Sequence, residues 1–165
     1  GVQTCALPIC YLQEGQPKQP LPRWLADLAH YEWAELAVDV MDVKRPPANA
    51  QGDLMAEIVA LNPARMDLHY DWAVHRIGEQ HKPRKPIDTH LVVYRDADDA
   101  VQFTEVNAAT AHVLALLDTQ PMSGTQVMQR IAQHMQHPQP EQLLAFGATL
   151  LKQLQAQDII LGTQP

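Results

Sequence analysis

The chain has 165 residues, 46% of them hydrophobic and 19% charged, with 13 Pro and 7 Gly. That size and apolar content suit one globular domain, alone or with part of a second, and exclude a wholly disordered chain. A net charge of −7 excludes a whole-surface attraction for nucleic acid or anionic lipid, though not a local basic patch.

Apolar runs such as residues 159–161 fall far short of the roughly 18 residues that cross a bilayer, so no membrane association is expected. Residues 1–9 (GVQTCALPI) resemble the translation of a sequencing-library adaptor, an artefactual segment. The natural protein is therefore expected to continue upstream. A secretory signal is the competing reading, and it fails for want of a basic n-region and an apolar h-region. Cys10 is then the single cysteine. It makes no intrachain disulfide or zinc cluster, which points to a cytoplasmic protein.

Residues 13–22 carry three prolines and read as a linker. Leu25, Leu28, Ala29, Trp33, Leu36, Ala37 and Val40 then recur at steps of three and four, the mark of an amphipathic helix whose stripe needs a partner. Lys44-Arg45-Pro46-Pro47 ends it. Residues 10–45 are thus read as the remnant of an N-terminal helical domain, and residues 50–162 as a C-terminal α+β domain. Met66, Leu68 and Tyr70 alternate with polar neighbours as in a half-buried strand. Residues 78–88, with two prolines, read as a mobile loop. Segments 90–95 and 100–106, joined by Asp96-Ala97-Asp98-Asp99, form a β-hairpin.

Beyond the hairpin the period changes from two to 3.6. Asn107 is a good N-cap for a helix facing inward with Ala111, Leu114 and Leu117. Ser123 or Thr125 caps a second, with Val127, Met128, Ile131, Ala132 and Met135 on its face. Pro140 suits the first position of a third, carrying Leu143, Leu144, Gly147, Leu150, Leu151 and Leu154. A short extended segment at 159–161 closes the chain. The fold class is therefore α+β: an antiparallel sheet with a β-hairpin, then three helices in a winged-helix-like order.

Residues 90–162 resemble the PqqD-like peptide-recognition domains of ribosomal peptide modification systems. The likeness lies in Val101-x-Phe103 through Asn107–Ala111, in Leu114-x-x-Leu117, and in Leu150 through Ile159-Ile160. Upstream, residues 28–33 (LAHYEW), Asn62-Pro63 and residues 72–77 (WAVHRI) are similar to the HvfC/BufC family. That family consists of two-domain peptide-modification chaperones partnering multinuclear iron-dependent oxidative enzymes, and it also carries a putative DNA-binding label. The resemblance implies that an adaptor binds a precursor (leader) peptide by adding it as a strand at the sheet edge. Carried over by position, the peptide contacts are Val101, Gln102, Phe103, Thr104, Leu151 and Gln155. Residues 21–42 then look like the last helix of the family's N-terminal domain.

Other chemistry is thinly supported. Of the eight histidines, His69, His75 and His81 share no strand or helix face. His134 and His137 have a usable spacing but no nearby acidic or thiolate ligand, so neither metal nor cofactor is expected. Residues 96–107 lack the Gly and Glu that a calcium loop needs at its sixth and twelfth positions. Glu32 and Glu35 read as an exposed helix face rather than an acid–base pair. No nucleophile elbow or phosphate-cradling loop appears, so no enzyme is expected. The alternative function is a DNA-binding module. From residue 107 on, however, Arg130 and Lys152 are the only fixed cations, too few for phosphate contacts. Arg76, Lys82, Arg84 and Lys85 form the one basic cluster, a candidate contact for phosphate or an acidic partner.

Overall fold

The run Thr89–Arg95 (THLVVYR) has side chains that favour burial at both even and odd positions, so neither face can meet water. The computed structural model, which describes residues 21–136 and 139–165, places this run at the centre of a sheet. In chain order the elements are α1 (Leu25–Asp39), β1 (Val59–Leu61), β2 (Arg65–Tyr70), a 3₁₀ turn (Val74–Arg76), β3 (Thr89–Arg95), β4 (Val101–Val106), α2 (Ala108–Thr119), α3 (Gly124–Met135), α4 (Pro140–Ala156) and β5 (Ile160–Thr163). The fold is α+β. A three-stranded antiparallel sheet runs β2-β3-β4, and β1 pairs antiparallel with β5. The hairpin followed by three helices matches the order read from the sequence. Residues 1–20, with the adaptor-like segment and most of the linker, lie outside the described residues.

Period-two geometry gives the sheet two buried faces. One carries Leu68, Tyr70, Leu91 and Val93 against Ala34 and Val38 of α1. The other carries Val92 and Tyr94 against α2, α3 and α4, with Leu114, Val127, Met128 and Leu151 at the centre. The expected stripe of α1 is only partly the packing face: Leu36 and Val40 are 59% and 67% exposed, and the helix instead meets the sheet through Leu28, Tyr31, Ala34 and Val38. Arg95 holds it there, donating to the carbonyls of Asp39 and Met41 at 3.2 and 2.8 Å. A guanidinium at these last carbonyls opposes the negative end of the helix.

The caps follow local chemistry. The Asn107 side chain accepts from the Thr110 amide at 2.8 Å, and Ser123 forms a reciprocal capping box with Gln126. Pro140 opens α4. At the far end, Gly162 sits at φ +135°, where a Cβ would collide with the carbonyl of Asn49. That close approach lets Asn49 exchange two backbone hydrogen bonds with Thr163, at 2.9 and 3.1 Å.

Asn62 is 1% exposed and ties three segments together. Its Nδ2 donates to the carbonyls of Arg95 and Asp158 at 2.8 and 2.9 Å, while its Oδ1 accepts from the Ala64 amide at 3.0 Å. The end of β3, the α4–β5 corner and the β1–β2 link meet on this one amide.

His30 on α1 lies 2.8 Å from the Tyr70 hydroxyl through its Nδ1. Burial disfavours the imidazolium and pushes its pKa below the ordinary 6.5. Folded protein therefore binds this proton less readily than unfolded chain. The stability it preserves is present above pH 6.5, begins to fall below that value and is lost as pH falls through the lower folded pKa. We expect wild type to lose more thermal stability than His30→Gln between pH 7.5 and 5.5. Equal losses in a melting series would remove this assignment.

Candidate functional site

The hydrogen-bond phase of the hairpin fixes what β4 offers to solvent. Asp96 donates from its amide to the carbonyl of Ala100, and Arg95 donates from its amide across to Ala64 on the β2 side. Because ladder bonds alternate sides along β3, Tyr94, Val92 and His90 bond to Gln102, Thr104 and Val106, their register partners. Val101, Phe103 and Glu105 therefore direct their backbone N–H and C=O groups away from β3. Among the described residues, β4 has no second strand neighbour, so these groups form an open edge.

The side chains alternate in the opposite sense. Val101 and Phe103 pack beneath α1, with the Phe103 ring 4.9 Å from that of Tyr31. These two residues offer their backbone and not their side chains. Gln102 and Thr104 face the helical side. Gln102 is engaged by its own hairpin, donating from Nε2 to Asp96 at 2.7 Å. Thr104 opens onto a groove of about 460 Å³ between β4 and α4, which continues past Val106, Thr110, Leu150, Gln153 and Gln157.

Two expected contacts on α4 are displaced from this groove. Leu151 is fully buried within the helical core, and Gln155 donates from Nε2 to the Ala50 carbonyl at 3.0 Å. The groove-facing positions are Leu150, Gln153, Leu154 and Gln157. The two stripes differ by one residue, a rotation of about 100° that a uniformly apolar Leu150-Leu151 pair does not resolve.

Glu105, missed in the sequence, anchors the end of the edge. Arg76 donates to its two carboxylate oxygens at 3.0 and 2.8 Å, and His75 Nε2 lies 3.0 Å away. The Arg76 hydrogen bonds hold the Glu105 carboxyl below its usual range. Arg76 is thus committed to the domain's own edge. It nevertheless lines, with Lys82, Arg84, Lys85, Glu79 and Ile87, a bowl of about 800 Å³ separate from the β4–α4 groove, so all four cations of the expected cluster meet there. Glu32 and Glu35 are exposed on α1, as expected.

Histidines distant in sequence also meet. His69 and His90 are register partners on β2 and β3, their rings stacked with centroids 4.7 Å apart. Their Nε2 atoms lie 2.5 and 3.2 Å from the two carboxylate oxygens of Asp88. The His69 hydrogen bond keeps the Asp88 carboxyl below the ordinary aspartate range. His134 lies on α3, and His137 lies outside the described residues.

The HvfC C-terminal domain family matches residues 62–155, more than half of the chain. The chain belongs to the HvfC C-terminal domain family. The family match runs from Asn62 almost to the end of α4, so it takes in the open edge, most of the groove and the His69–Asp88–His90 cluster, and it begins after α1. Membership points to a role in a biosynthetic or modification system, with protein partners. No curated protein matches the chain. Among the described residues, no helix is long and apolar enough to cross a membrane.

Proposed function

We propose that this domain is a non-catalytic adaptor. It takes up a ribosomally made precursor peptide as an added strand on β4 and presents it to a multinuclear iron-dependent oxidative enzyme, as in PqqD-like recognition domains. The observation that carries this reading is the open edge at Val101, Phe103 and Glu105, running beside a groove with an apolar floor at Leu150 and Leu154. Backbone hydrogen bonds to these three residues supply affinity for any extended chain, and the groove selects among side chains. On this reading residues 50–162 make the recognition unit, and residues 10–45 are the remnant of a helical domain whose helix α1 packs on that unit's sheet. Three helices bearing few cations give the DNA-binding alternative little to hold phosphate with.

Glu105 separates an edge role from a side-chain role. Its N–H points outward, so Glu105→Pro removes an edge donor while leaving the β3 ladder intact. Glu105→Ala breaks the Arg76 pair but keeps the donor. Peptides selected from a displayed library against the wild-type chain are expected to bind at micromolar affinity. Binding should weaken about tenfold in Glu105→Pro and stay within about threefold in Glu105→Ala. Equal binding to both variants would reject β-augmentation. A salt-sensitive shift of a duplex, without peptide binding, would install the DNA reading instead.

A further inference from the structure

We propose that His69, Asp88 and His90 form a binding site for one first-row divalent cation of the zinc class. The argument starts from strand register. Because Arg95 bonds to Ala64, alternation makes His69 and His90 a non-hydrogen-bonded pair, the type in which opposed side chains come closest. Both Nε2 atoms converge on one carboxylate, which Asp88 supplies from the residue just before β3.

Tetrahedral coordination at zinc–ligand distances near 2.0–2.1 Å sets ligand atoms about 3.3 Å apart. His90 and Asp88 already stand at 3.2 Å, and all three ligand atoms lie within 4.8 Å of one another. Small side-chain rotations, with no backbone movement, therefore admit an ion. Two imidazoles and one carboxylate favour borderline ions over calcium or magnesium, which need more oxygen ligands. The site is open to solvent, with the His69 and Asp88 side chains 57% and 66% exposed. Three protein ligands leave a fourth position for water or for a donor from a bound chain. His90 pairs with Val106, which lines the groove, so this fourth position lies one strand from the proposed peptide path. The site itself stands independently of peptide binding.

The test is calorimetric titration of the full chain with Zn²⁺ near neutral pH, repeated in a Cys5→Ser, Cys10→Ser variant so that thiols contribute nothing. One equivalent should bind at micromolar affinity or tighter in both. His69→Asn and His90→Asn should each weaken binding by at least about tenfold, while His134→Asn leaves it unchanged. Ring signals of His69 and His90 alone should move in the NMR spectrum. His69 and His134 are exposed and the His90 side chain is 20% exposed, so melting curves without metal will report whether each variant folds. Absence of stoichiometric binding would overturn the proposal. So would binding that survives His69→Asn and His90→Asn together.

Discussion

Asn62→Ala is expected to lower the unfolding free energy by about 4 kcal/mol, a loss of about 10 °C in melting temperature for a domain of this size. The substitution removes two donors and one acceptor from a fully buried position. It leaves the carbonyls of Arg95 and Asp158 and the amide of Ala64 without the partners that satisfied them. Each orphaned buried group costs on the order of 1–3 kcal/mol. Asn62→Asp keeps the shape and still fails, because a carboxylate cannot donate to two carbonyls. Urea denaturation of the three proteins measures the effect. A loss below about 1 kcal/mol for Asn62→Ala would show that the three segments hold together without this amide.

Leu151→Ala should cost about 3 kcal/mol through the cavity it leaves at the centre of the helical core. Gln155→Ala, four residues on, should cost less than about 1 kcal/mol, since it removes one exposed hydrogen bond. This contrast separates two roles for the Leu151 stripe. A peptide-contact stripe would lose affinity while remaining folded. A core stripe loses stability, while protein that stays folded at low temperature binds the selected peptides as before. Paired denaturation and binding measurements on both variants distinguish them. Full stability with lost binding in Leu151→Ala would return that residue to the groove.

What could be read in the sequence was what neighbouring residues decide. Asn107, Ser123 with Gln126, and Pro140 fix helix starts through bonds or dihedrals spanning three or four residues, and each stands where local chemistry put it. The alternation of Met66, Leu68 and Tyr70 located β2 for the same reason. Three features escaped because they depend on distant pairing. The central position of β3 is signalled only by the apolar run Leu91–Tyr94. The groove face of α4 depends on which of Leu150 and Leu151 meets Gly124 and the core, a question of helix phase. The His69–Asp88–His90 cluster joins residues whose spacing along the chain carries no metal signature. Only the register of two antiparallel strands places them together.

The clasp between Asn49 and Thr163 bears on how this chain matures as it is made. Thr163 also donates from its hydroxyl to Glu57 at 2.6 Å, across 106 positions of sequence. Both contacts close the β1–β5 ribbon, and with it one wall of the helical core. A nascent chain emerging from the ribosome can assemble the hairpin early, yet it cannot seal that wall until β5 clears the exit tunnel. Until then β1 presents an unpaired border of its own, exposed to other nascent chains and to folding helpers.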